Sequence, residues 1–198
     1  MSIRKLKTFI LHKLQSEIPQ TLSYHGVHHT IDVLSVCNRY IKRLRMSKRD
    51  ALLLRTAALL HDTGFIWTYT NHEERGVGYA REILPEWGYQ DSEIERISNM
   101  IMATKIPQEP QNLLEKILCD ADLDYLGTVR FYTIGETLYR ELLTFNVIED
   151  EESWDRVQIN FMSNHHYHTD YAKKHLEPIK RKHLSDLIKK REMAIIIL

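Results

Sequence analysis

Apolar residues recur along this chain at the three-to-four-residue spacing of helices that bury one face. Ile3, Leu6, Ile10, Leu14 and Ile18 predict a first helix over about residues 2–18, and Pro19 to Gly26 break it. A second helix then carries His29, Val33, Val36, Cys37, Tyr40, Ile41 and Leu44 on one stripe. Ser47, with Asp50 three residues on, predicts the cap of a third helix holding Leu52 to Leu54 and Ala57 to Leu60. Its apolar positions run nearly all round, so it is expected to be the central, buried helix, ending in His61-Asp62 with Gly64 as the stop. Asn71 with Glu74, and Ser92 with Glu95, predict the caps of a fourth and a fifth helix, closing near Trp87-Gly88 and Thr104. Pro107 and Pro110 mark a loop, and a sixth helix is expected from about Asn112 to Leu126, stopping at Gly127. Helices at about 130–145, 152–164 and 170–191 complete the reading. No segment shows sustained strand-type alternation. The expected fold is all-α, one domain over 1–198, with a core at about 22–127 and a C-terminal helical extension from 128 to 198.

Charge changes this picture little. The 27 basic and 27 acidic residues cancel, which gives no electrostatic reason to expect a long nucleic acid or a membrane as partner. Cys37 and Cys119 lie far apart, outside any Cys-x-x-Cys pattern, and read as reduced, buried thiols. The basic N-terminus is followed by no apolar core of a secretory signal. The terminal run Ala194 to Leu198 is far short of the ~20 residues that span a bilayer. A cytoplasmic protein is expected, with a homo-oligomer left open.

The candidate chemistry lies in the placement of eleven histidines and a few aspartates. His25 and His29 stand four apart at the start of the second helix. His61-Asp62 closes the most apolar helix, and Asp120 and Asp122 follow the apolar stretch Leu113, Leu114, Ile117, Leu118. A charged aspartate embedded in an apolar helix is costly unless it is paired or bound to a metal. Imidazole and carboxylate together suit Fe, Mn, Co, Ni, Zn or Mg. There is no Gly-x-x-x-x-Gly-Lys loop, Gly-x-Ser-x-Gly elbow or dinucleotide fingerprint.

Three local contexts occur in order: Tyr24-His25-Gly26-Val27-His28-His29-Thr30, Leu59-Leu60-His61-Asp62-Thr63-Gly64, and Asp120-Ala121-Asp122-Leu123-Asp124-Tyr125-Leu126-Gly127. Together they resemble the HD superfamily of metal-dependent phosphohydrolases over roughly residues 22–127. The resemblance implies a helical bundle whose divalent ion is held by His29, His61, Asp62 and Asp122, with Asp120 kept as a supporting candidate. Two-metal members place a further histidine where His72 stands, and more before the last aspartate. This chain has none between His72 and Asp120, so a single ion is expected.

The same resemblance implies attack by a metal-bound water on a phosphate ester, with a small phosphorylated substrate such as a nucleotide as partner. Asp62 would act in catalysis, and His72 and Lys105 would meet the phosphate. The alternative reading of His72 is an exposed first-turn residue, and that of Lys105 a cation matching a helix C-terminus. His25 is a candidate substrate contact or a helix cap. His165, His166 and His168 are placed outside the ligand set. Two rivals stand beside this reading: a nucleotide-binding HD module that does not hydrolyse, and an HD-fold di-iron oxygenase needing more histidine ligands.

Overall fold

A computed structural model describes residues 2–197, with side chains to residue 193; Met1, Leu198 and the side chains of the Ala194–Leu198 run lie outside it. Among the described residues there are ten α-helices, two short 3-10 turns and no strand, so the chain is all-α. The helices are α1 (Ile3–Glu17), α2 (Val27–Arg43), α3 (Lys48–Leu60), α4 (His72–Ile83), α5 (Asp91–Ala103), α6 (Leu113–Asp122), α7 (Phe131–Thr144), α8 (Glu151–Asn164), α9 (Asp170–His175) and α10 (Glu177–Ile197). They form two compact units, Met1–Asp122 and Leu123–Leu198.

In the first unit α3 is the axis and packs against α1, α2, α4, α5 and α6. Its Leu53, Leu54, Ala57, Ala58, Leu59 and Leu60 are all but inaccessible. Continuous burial explains the apolar character all round this helix. Leu6, Ile10 and Leu14 lie buried along α1. Ser47 caps α3 as its sequence predicts: its hydroxyl oxygen accepts from the Asp50 amide at 3.0 Å.

Several boundaries differ from the sequence reading, each for a local reason. Asn71 holds the N-cap position of α4 in a left-handed conformation with no side-chain cap; its amide oxygen accepts from Lys105 Nζ at 3.4 Å instead. The capping box of α5 is built by Gln90 and Glu93, two residues ahead of the expected pair. α6 ends at Asp122, and its apolar continuation through Leu126 runs in a 3-10 turn, Asp124–Gly127. The last expected helix is two, α9 and α10, separated by Leu176.

Gly64 is not the stop of α3, which has already ended at Leu60. It lies in a 3-10 turn, Thr63–Ile66, where a methyl group would fall 1.8 Å from the carbonyl oxygen of His72. The glycine lets the first turn of α4 press against the exit of α3.

In the second unit Lys180 is buried on α10. Its ammonium donates to the His165 carbonyl at 2.5 Å and lies 3.1 Å from Glu177. The Tyr167 hydroxyl donates to the Leu123 carbonyl at 3.1 Å. These contacts pin the loop after α8. No helix among the described residues is long and apolar enough to cross a membrane.

Candidate metal centre

Four side chains from three places in the first unit converge. His29 projects from the first turn of α2, whose entry is shaped by Gly26 in an extended conformation. His61 follows directly on α3, and Asp62 takes the bridge conformation (φ −102°, ψ 6°) that turns the chain out of the helix. Asp122 is the last residue of α6. Since α2 and α6 both pack on α3, a helix start and two helix ends meet at one pole of the bundle.

The distances are short. His29 Nε2 lies 2.9 Å from Asp122 Oδ1 and 3.3 Å from both His61 Nε2 and Asp62 Oδ2. His61 Nε2 is 3.2 Å from Asp62 Oδ2 and 3.5 Å from Asp122 Oδ1. His61 is completely buried, and Asp62 is 4% exposed.

His61 Nδ1 stands 3.0 Å from the Ala58 carbonyl oxygen. A carbonyl only accepts, so Nδ1 carries a proton and Nε2 is the ring atom turned to the cluster. This is the arrangement that prepares an imidazole for a metal.

Burial works against a charged His61, but the Asp62 and Asp122 carboxylates overcome it and lift its pKa well above the ordinary histidine range. Burial likewise opposes ionised Asp62, yet His61, followed by His29 and His25, holds its carboxyl well below the usual value. Asp122 is lowered to about 2 against the same burial, chiefly by hydrogen bonding to His29 and His61. Two ionised carboxylates facing two imidazoles make a site that suits a positive occupant.

The donor set fits a divalent cation. Asp62 Oδ2 is buried with no hydrogen-bond partner, although two imidazole nitrogens lie within 3.3 Å of it. A carboxylate oxygen in that position is costly unless something cationic completes it. His29, His61 and Asp122 each offer one atom, all within 4.8 Å of one another, which is compatible with a shared ion.

The other candidates fall at graded distances. His72, the first residue of α4, places Nε2 3.7 Å from Asp62 Oδ1 and 3.4 Å from Glu73 Oε1. Phe65 stacks on its ring at 3.8 Å and on that of His25 at 4.1 Å. His25 also lies 6.0 Å from the His29 ring.

Lys105 is not brought into the cluster. It is half-exposed and paired with Glu74. Asp120 is buried, while Asp122 supplies the converging oxygen. Glu73 and Phe65, which position His72, were assigned no role from sequence. The adjacency of Glu73 to a histidine was the only available signal for the first, and nothing local marked the second.

Comparison with known families agrees with this geometry. The family model described as HD domain matches residues 26–124, half of the chain, spanning all four converging residues. No curated protein and no solved structure matches the chain.

Proposed function

This chain belongs to the HD domain family, a superfamily of metal-dependent phosphohydrolases, and from that premise we propose that it hydrolyses a phosphate ester, with nucleotides the first substrate class to test. The observation that carries the reading is the convergence of His29, His61, Asp62 and Asp122, with contacts of 2.9 to 3.5 Å around the orphaned Asp62 Oδ2. These four residues would hold the ion. A divalent cation bound there supplies Lewis-acid chemistry, lowering the pKa of water and offsetting charge on a phosphoryl oxygen.

The chain's own side chains set up the rest. The Ala58 carbonyl holds the His61 ring in one tautomer. Asp62 faces both ways, Oδ2 toward the two imidazoles and Oδ1 toward His72 Nε2. His72, braced by Glu73 and stacked on Phe65, would give or take a proton at Nε2 beside that carboxylate. His25 lines the same edge. Lys105 would reach phosphate only by exchanging its Glu74 partner, which an exposed ion pair allows at little cost. The thiols of Cys37 and Cys119, buried and outside any disulfide, support a reducing, cytoplasmic setting.

A panel of phosphatase and phosphodiesterase substrates, assayed with Mn, Fe, Co, Ni and Mg, tests the proposal. Turnover is expected with at least one transition metal and is expected to vanish in Asp62→Ala. Undiminished turnover in that variant would place the chemistry elsewhere. Nucleotide binding without turnover under any metal would make the protein a regulatory module.

A further inference from the structure

Zero net charge conceals a segregated surface. The corner joining α2 to α3 reads Lys42-Arg43-Leu44-Arg45-Met46-Ser47-Lys48-Arg49, with five cations and no acid. Every one of the five is exposed, and Leu44 at the tip is 46% exposed. Arg49 is paired with Glu93, whereas among the described residues no carboxylate lies within ion-pair distance of Lys42, Arg45 or Lys48.

Local structure does not ask for these charges. Lys42 and Arg43 suit the C-terminal turn of α2, but Lys48 and Arg49 occupy the first turn of α3, where the helix dipole disfavours cations. Arg45 has φ 49°, a left-handed position that glycine fills most easily. The turn there is the six-residue helix stop, with the Met46 amide on the Ile41 carbonyl at 3.1 Å. Arg45 and Lys48 therefore stand where folding alone would choose otherwise, which is the mark of a functional surface.

We propose that this corner docks the protein on an anionic lipid bilayer, with Leu44 entering the headgroup boundary and Lys42, Arg43, Arg45, Lys48 and Arg49 around it on lipid phosphates. Clustered basic residues are attracted to anionic lipid headgroups. A leucine at the apex gains from an acyl boundary and nothing from a sugar-phosphate backbone. The corner also offers no aromatic ring on which bases could stack. His29 opens α2 and His61 follows α3, so the corner lies roughly 20 Å along both helices from the metal cluster. Docking by this end leaves the catalytic pole in solution. Such docking departs from the expectation drawn from net charge, that no membrane is a partner.

Co-sedimentation of the full chain with phosphatidylcholine vesicles, with and without phosphatidylserine, tests this. Binding is expected only to the anionic vesicles and is expected to fade as NaCl is raised. Arg45→Gly is the decisive variant, because it removes a charge while easing the backbone, so lost binding cannot be lost folding. It should weaken partitioning about fivefold, and Arg45→Gly/Lys48→Gln about 25-fold. Leu44→Ser should weaken it further without changing the salt dependence. Phosphohydrolase turnover on a soluble substrate should be unchanged in all three. No sedimentation with anionic vesicles, equal sedimentation with neutral ones, or undiminished binding by the double variant overturns the proposal. Binding confined to single-stranded or duplex oligonucleotides would assign the corner to nucleic acid and overturn it equally.

Discussion

Gly64 and Gly76 offer a paired test of how the two helices at the metal cluster are held together. A methyl at position 64 would sit 1.8 Å from the His72 carbonyl oxygen, 2.6 Å from its carbonyl carbon and 2.9 Å from its Cα. Ordinary contact begins near 3.4 Å, so the start of α4 must retreat by about 1.6 Å. The obstacle is backbone and has no rotamer to escape into. Overpacking commonly costs ~1–3 kcal/mol, and a backbone clash belongs at or above the top of that range. Gly64→Ala should therefore lose about 3 kcal/mol, or roughly 6–12 °C in a chain of this size.

At Gly76, within α4, a methyl would meet Leu60, Gly64 and His61 backbone atoms at 3.4 to 3.5 Å, which is ordinary contact. Replacing a mid-helix glycine by alanine gains about 0.5–1 kcal/mol, so Gly76→Ala should be neutral or slightly stabilising. Urea denaturation of both variants reads the difference directly. Because Gly64→Ala displaces His72 from Asp62, its turnover should fall by more than its folded fraction does. A Gly64→Ala protein within about 0.5 kcal/mol of the natural sequence would refute the reasoning, as would equal harm from both substitutions.

Two further outcomes follow from the cluster and from the second unit. A cation that binds only the folded cluster should stabilise it by about 2.7 kcal/mol at one hundred times its dissociation constant, a rise of roughly 5–10 °C by differential scanning fluorimetry. His61→Ala should erase that rise; a persistent rise would mean the metal binds elsewhere. In the second unit, burial followed by the Lys180 charge holds His165 at about 3, below the ordinary histidine value of 6.5. The unfolded chain thus takes up a proton that the folded chain refuses, so stability is lost as pH falls from about 6.5 toward 3, by at most about 1.4 kcal/mol per unit. Urea midpoints between pH 7.5 and 4.5 should show a slope that His165→Asn flattens, and an unchanged slope would remove His165 as its cause.

What was legible in the sequence divides along physical lines. The all-round apolar character of α3 and the Ser47 cap depend on neighbours a few residues away, and both stand where expected. The cap at Asn71 failed because its partner, Lys105, lies 34 positions on, beyond any local pattern. α6 was overrun because Leu123, Tyr125 and Leu126 keep an apolar rhythm that a 3-10 turn shares with a helix. The four converging residues were readable only through their motif contexts, since spacing alone says nothing of where three helix ends meet. The pairing of Lys105 with Glu74 was not legible, because the two stand 31 positions apart on different elements.

The stacking of Phe65 against two imidazoles gives the protein a built-in spectroscopic reporter. Aromatic ring currents shield protons lying over a ring face, so the His25 and His72 imidazole signals should be shifted upfield in a proton NMR spectrum. Any ligand that draws the first residue of α4 away from Phe65 must release that shielding on His72. Substrate arrival would then be visible from a natural side chain, with no label attached and no turnover required.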